Sequence, residues 1–159
     1  SQTEGLSIMS RLTANFTLGE LTRSTTAQRL GLDNTPPAAV QWQLAKTATM
    51  LQHIRDAIGR PITVTSAYRS RAVNRAVGGR TSSDHVMGMA ADIVVPGMTA
   101  HALAKAIEPR MGEFGIGQLI LEGIKGKQLV HVSTDPTDKP INRVLTITDS
   151  CAQPGIWEV

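Results

Sequence analysis

The segment SSDHVMGMAADIVV, residues 82–95, sets His85 seven places ahead of Asp92, with glycine and small residues between them and a β-branched run behind. Further along, His131 stands between Val130 and Val132. Alternate residues of a pleated strand share a face, so His131 and Ser133 look one way and the two valines the other. If strands formed by 91–95 and 118–133 belong to one sheet, His85, Asp92 and His131 can converge on its surface. Two imidazoles and a carboxylate around a divalent cation leave a fourth tetrahedral position for water, the layout of a catalytic rather than a structural zinc. Nitrogen with oxygen donors suits zinc and leaves other divalent metals open. By spacing alone, a loop running into an ordinary strand explains the His85–Asp92 pair more readily. The other two histidines lie elsewhere: His53 in the middle of a long helical stretch, His101 near the start of another.

The elements that must position these residues can be read in outline. In FTLGELTRSTTAQRLGLDNTPP, Thr17 and Glu20 stand three apart as in a capping box and predict a short helix start. NTPP, residues 34–37, is a rigid breaker. Beyond it Val40, Leu44, Thr47, Leu51, Ile54 and Ile58 recur at three or four residues, an amphipathic helix with Pro37 in its first turn and Gly59 at its end. PITVTSAYRS predicts a strand with Ile62 and Val64 on one face, and RAVNRAVGG a helical turn or two ending at Gly78–Gly79. ADIVV predicts a strand stopped by Pro96–Gly97. MTAHALAKAIEPRM predicts a helix with Leu103, Ala106 and Ile107 inward and Pro109 closing it. QLILEG and QLVHVST, separated by IKGK, give a hairpin signal. RVLTIT would add an edge strand, and in the irregular tail Trp157 would dock on the core.

At 159 residues the chain is long enough to bury a core as one domain, 1–159, with 1–15 a loosely held lead-in. An aromatic content of 3% argues against an RNA-stacking surface. The net charge of +3 favours anionic partners without choosing among nucleic acid, wall polymer and lipid head groups. The basic residues are spread along the chain and no nucleic-acid motif is present, so nucleic acid is not the expected partner. A single cysteine, Cys151, leaves any metal to histidine and carboxylate. No run of 18 apolar residues predicts a membrane span, and no signal-peptide pattern opens the sequence.

SSDHVMGMAAD resembles the Ser-x-His-x-x-Gly-x-Ala-x-Asp signature of the M15 metallopeptidases, the D-alanyl-D-alanine carboxypeptidase and phage endolysin group: Ser83, His85, Gly88, Ala90 and Asp92 fill its defined places. The likeness continues through FTLGELTRSTTAQRLGLDNTPP, ITVTSAYRS, VNRAVGG, QLILE and LVHVS, in that order. It covers most of residues 16–133 and looks especially like the phage-borne branch. The resemblance implies an α+β fold of the hedgehog and D-Ala-D-Ala-peptidase type, a small, mainly antiparallel sheet flanked by helices. It also implies one zinc ion on His85, Asp92 and His131, and hydrolysis of an amide bond in peptidoglycan peptides.

The same resemblance assigns roles, with two departures. Many members carry a glutamate base three residues before the last histidine, where this chain has Gln128, which cannot take a proton. Glu122, in QLILEG on the partner strand of the hairpin, is the candidate base. Arg69, in SAYRS, matches the family's arginine and is expected to grip a substrate carboxylate or a developing oxyanion. Ser83 and Tyr68 are expected to contact substrate, with Asn74 nearby. Leu129 replaces a tryptophan common two places before the last histidine. The expected enzyme is a monomeric zinc peptidase. A phage origin would have it act on a host cell wall, either as an endopeptidase or by removing a terminal D-alanine. The rival is a zinc-containing module that binds wall peptide or protein without cleaving it, kept open by Gln128 and Leu129.

Overall fold

A computed structural model describes residue 7, residues 9–134 and residues 142–159; of the expected lead-in, residues 1–6 and 8 lie outside the described residues. Within that lead-in, Gln52 accepts hydrogen bonds from Thr13 and from the Asn15 amide. Two short helices follow, α1 (Leu18–Thr22) and α2 (Thr25–Leu30), capped by the hydroxyls of Thr17 and Ser24. The long helix α3 (Ala38–Ile58) begins one residue after the Pro37 cap and ends at left-handed Gly59, whose N–H reaches Arg55 O. Its buried face carries Leu44, Thr47, Leu51 and Ile54 of the predicted stripe, joined by Ala48 and Met50, while Val40 and Ile58 at the two ends are half-buried.

The rest of the chain alternates strands and helices: β1 (Thr63–Ser66), α4 (Arg71–Ala76), β2 (Ala90–Val94), α5 (Ala100–Ile107), α6 (Met111–Phe114), β3 (Gln118–Ile124), β4 (Lys127–Ser133), β5 (Arg143–Thr148) and β6 (Ala152–Pro154). The six strands form one sheet in the order β1-β2-β4-β3-β5-β6. Every pairing is antiparallel except β3 with β5. This is the expected α+β architecture.

The sheet's two faces divide the work. Ala91, Ile93, Leu119, Leu121, Val130 and Val132, each fully buried, share a core with Leu44, Leu51 and Ile54 of α3 and Leu103 and Ile107 of α5. Each such Val, Leu or Ile contributes about 1.5–3 kcal/mol by burial. That single face therefore anchors the strands, and period-two alternation leaves the opposite face free to carry polar groups.

Four details differ from expectation. RVLTIT is interior rather than an edge, because the tail returns as β6 and covers its outer side. Having followed the β3–β4 hairpin, it runs parallel to β3. Ala106 faces solvent while Ala104 takes the inward position beside Leu103 and Ile107. Pro109 opens a 3-10 turn, Glu108–Arg110, that leads into α6 instead of ending the helical run. Trp157 is 56% exposed and donates its indole N–H to Pro154 O within the tail, while neighbouring Ile156 packs on the core.

Candidate metal centre

Strand register brings two of the three candidate ligands together. Asp92 of β2 lies directly opposite His131 of β4, and the same cross-strand row continues through Ile120 of β3 and Leu145 of β5. The third, His85, comes from the loop between α4 and β2. Gly88 lets that loop lie against α3: its φ is +74°, and a Cβ there would stand 2.9 Å from Val40 Cγ1. Thr47 donates to the Gly88 carbonyl at 2.6 Å from below. On the other side Arg69 N–H bonds the His85 carbonyl and the Ser83 hydroxyl accepts the His85 N–H.

His85 Nε2 is 3.3 Å and His131 Nδ1 is 3.0 Å from the same Asp92 Oδ1. Donors held 2.0–2.2 Å from a tetrahedral ion lie about 3.3–3.6 Å apart. The two spacings are at or just under that range and all three ligand atoms lie within 4.8 Å of one another, an arrangement that small adjustments fit to one small cation. The hydrogen bonds behind the rings say more. His85 Nδ1 lies 2.7 Å from the carbonyl oxygen of Ala67, which can only accept, so Nδ1 carries the proton and Nε2 is bare. His131 Nε2 lies 2.9 Å from Ser133 Oγ, and that hydroxyl donates to Asp84 Oδ2 at 3.2 Å. Ser133 is left to accept from Nε2–H, which makes Nδ1 the bare nitrogen. Two imidazole lone pairs thus face one carboxylate oxygen, an arrangement that repels itself unless a proton or a cation lies among them. The donor set and its orientation fit a divalent metal, with the outer-sphere bonds expected of metal-binding histidines.

Arg69 completes the support. Its Nε donates to Ser66 Oγ and its Nη1 to Asn74 Oδ1, and Nη2 lies 3.5 Å from Asp92 Oδ2. Asn74 is itself held by the Arg80 carbonyl, under a Gly79 whose Cβ would overlap the Asn74 amide. Three of the guanidinium's five N–H donors are thus directed at the protein, one of them toward Asp92, and the group also lines the cleft beside that carboxylate. Burial by itself pushes the Asp92 carboxyl up. When a proton rather than a cation lies among these atoms, the charge of His85 and the hydrogen bonds that the protonated rings give more than offset this and hold it well below the usual range.

The sheet's polar face is the floor of a cleft of about 350 Å³ that contains all three ligands. Arg69, Ser83 and Glu122 line it too. Glu122 lies two residues along β3 from Ile120 and pairs with Leu129, on the His131 side of the sheet. Burial first, then the negative charge of Asp92, pushes its carboxyl up, with partial relief from His131 and Arg69. Gln128, three residues before His131 on a regular strand, belongs to the opposite face and donates to Val159 O. Even a glutamate at 128 would point away from the cleft. Tyr68 is a correction: it is 5% exposed, packs in the core and does not line the cleft.

Sequence reasoning missed Asp84, Arg80, Gln118 and Arg143, which also line the cleft. Gln118 and Arg143 share the next cross-strand row with Ser133, a registry that alternation within one strand does not reveal. Ser133 did carry a signal, its position two residues from His131.

The model of the peptidase M15 family matches residues 14–132. Over 93 residues the chain is 37% identical to the zinc D-Ala-D-Ala carboxypeptidase of Streptomyces albus G, covering 58% of this chain. The matched part spans 36% of that relative's length.

Proposed function

The chain belongs to the peptidase M15 family, and from that premise we propose that it is a zinc metallopeptidase hydrolysing an amide bond in the peptide part of bacterial cell wall. The observation that carries this reading is the convergence of His85 Nε2 and His131 Nδ1 on Asp92 Oδ1 at the floor of an open cleft. Zinc on these three residues would supply Lewis acidity toward the scissile carbonyl and the attacking water.

The chain's own residues supply the remainder. Glu122, a carboxylate on the same face whose proton affinity is raised, takes the proton of the attacking water. It then returns that proton to the departing amine nitrogen, so amide and water become acid and amine with no other reactant. Arg69 holds Asp92 Oδ2 and leaves Oδ1 facing the imidazoles. Ser83 fixes the His85 loop through the His85 N–H. Arg143 and Arg80 line the cleft, and their guanidiniums have no hydrogen-bond acceptor among the described residues. They suit a substrate that carries a carboxylate, which favours removal of a terminal D-alanine over an internal cut.

The rival, a module that binds without cleaving, was kept open by Gln128 and Leu129; the sheet register puts Gln128 on the face away from the cleft, while Leu129 stays on the His131 face opposite Glu122. The test is mass spectrometry of defined muropeptides incubated with the zinc-loaded protein, with and without chelator. Loss of one alanine from a pentapeptide stem, abolished by chelator and restored by zinc, is expected. No cleavage of any muropeptide at saturating zinc overturns the reading.

A further inference from the structure

We propose that Ser133 and Asp84 are positioning residues, a buried relay that makes Nδ1 the nitrogen His131 offers to the metal; the inference rests on the zinc reading above. A histidine ring can turn over, exchanging Nδ1 with one ring carbon and Nε2 with the other, and it can carry its proton on either nitrogen. Ligation by Nδ1 requires one orientation and one tautomer. The two metal-binding histidines meet this demand differently. His85 is fixed by a backbone carbonyl, that of Ala67. His131 is fixed by side chains alone.

The relay has a definite polarity. Ser133 is fully buried and Asp84 is 3% exposed, so water does not compete for these bonds. A hydroxyl has one proton, and Ser133 gives it to Asp84 Oδ2 at 3.2 Å. Its oxygen can then only accept from His131 Nε2 at 2.9 Å, and with the ring turned over a carbon would face that oxygen instead. Asp84 therefore controls the His131 tautomer without touching the ring. The relay also joins two distant segments: Asp84 directly precedes His85 in the loop, while Ser133 and His131 share β4, 49 residues from Asp84 to Ser133. The loop that carries one ligand and the strand that carries another are tied by a bond set behind the metal position.

The test compares zinc affinity, by competition with a chromophoric chelator, in the full chain and in Ser133→Ala, Asp84→Ala and Asp84→Asn. Loss of an outer-sphere partner weakens metal affinity by about tenfold to a hundredfold, and that range is expected for Ser133→Ala and Asp84→Ala. Asp84→Asn keeps an acceptor oxygen and should recover most of the loss, whereas a further variant, Asp84→Leu, which fills the space without an acceptor, should lose as much affinity as Asp84→Ala, which a merely space-filling role would not predict. Cobalt(II) loaded in place of zinc should show an altered visible spectrum in Ser133→Ala and a near-normal one in Asp84→Asn. Unchanged zinc affinity and cobalt spectrum in a folded Ser133→Ala overturn the relay, as does Asp84→Asn no better than Asp84→Ala. Should Asp84→Ala fail to fold, Ser133→Ala, which removes only a hydroxyl, decides the question. A wild-type chain that competes for no zinc overturns the zinc reading itself, and the relay with it.

Discussion

Replacing Glu122 by glutamine separates the base from the metal site. The swap keeps shape and removes only the ability to carry a proton. Glu122 is not one of the three converging ligands and its carboxylate makes no hydrogen bond among the described residues, so neither zinc binding nor the strand should suffer. A positioned general base contributes about 10²–10⁴ in rate, or about 2.7–5.4 kcal/mol of barrier. The cleft offers no substitute, because Asp92 faces the imidazoles and Asp84 is bonded by Ser133. A fall in kcat of at least about a hundredfold is therefore expected, with KM little changed and zinc content full, in a muropeptide assay followed by released D-alanine. The direction of the Glu122 shift adds a second signature in the zinc-free protein. A carboxyl raised by folding is favoured in its protonated form. Its contribution to stability is present below the unfolded value, about 4.3, and is lost as pH rises through the folded value. Glu122→Gln escapes that loss, so it should match wild type in acid and exceed it in stability at neutral pH. Activity within about threefold of wild type would refute Glu122 as the base.

Zinc that binds only the folded chain stabilises it by about 4.1 kcal/mol at a thousand times its dissociation constant. At about 2–4 °C per kcal/mol for this size, thermal melts with zinc and with chelator should differ by about 8–16 °C; coincident melts would contradict a metal at His85, Asp92 and His131. Gly88→Ala combines a left-handed backbone costing about 1–2 kcal/mol with overpacking against Val40 of about 1–3 kcal/mol. Urea unfolding should report a loss of about 2–5 kcal/mol, and a loss below about 1 kcal/mol would show that the loop lifts from α3 freely. Arg143→Gln should raise KM about tenfold to a hundredfold for a peptide with a free terminal carboxylate and leave its amidated analogue nearly unaffected. Equal effects on both peptides would remove Arg143 from substrate recognition.

Local patterns in this chain carried much of the architecture. The three-and-four spacing from Val40 to Ile58 specifies α3 because a helix repeats every 3.6 residues, and Pro37 and Gly59 bound it through backbone angles that each residue enforces or permits. Alternation around His131 set Ser133 on its face and the valines behind it, a consequence of the pleat alone. The converging side chains were legible because a signature of fixed spacing surrounds His85 and Asp92. Partners across strands were not. Whether Arg69 meets substrate or Asp92 depends on where Ser66 and Asn74 end up, and Tyr68, beside it in sequence, turns into the core. Gln128 leaves the cleft, Glu122 enters it and Arg143 falls in line with Ser133 only through the register of β3 with β4 and β5. The sequence by itself determined the elements, since period and cap are properties of neighbouring residues. Tertiary structure decided which polar groups meet, because strand register and the folding of a loop over a sheet sum interactions among residues far apart in the chain.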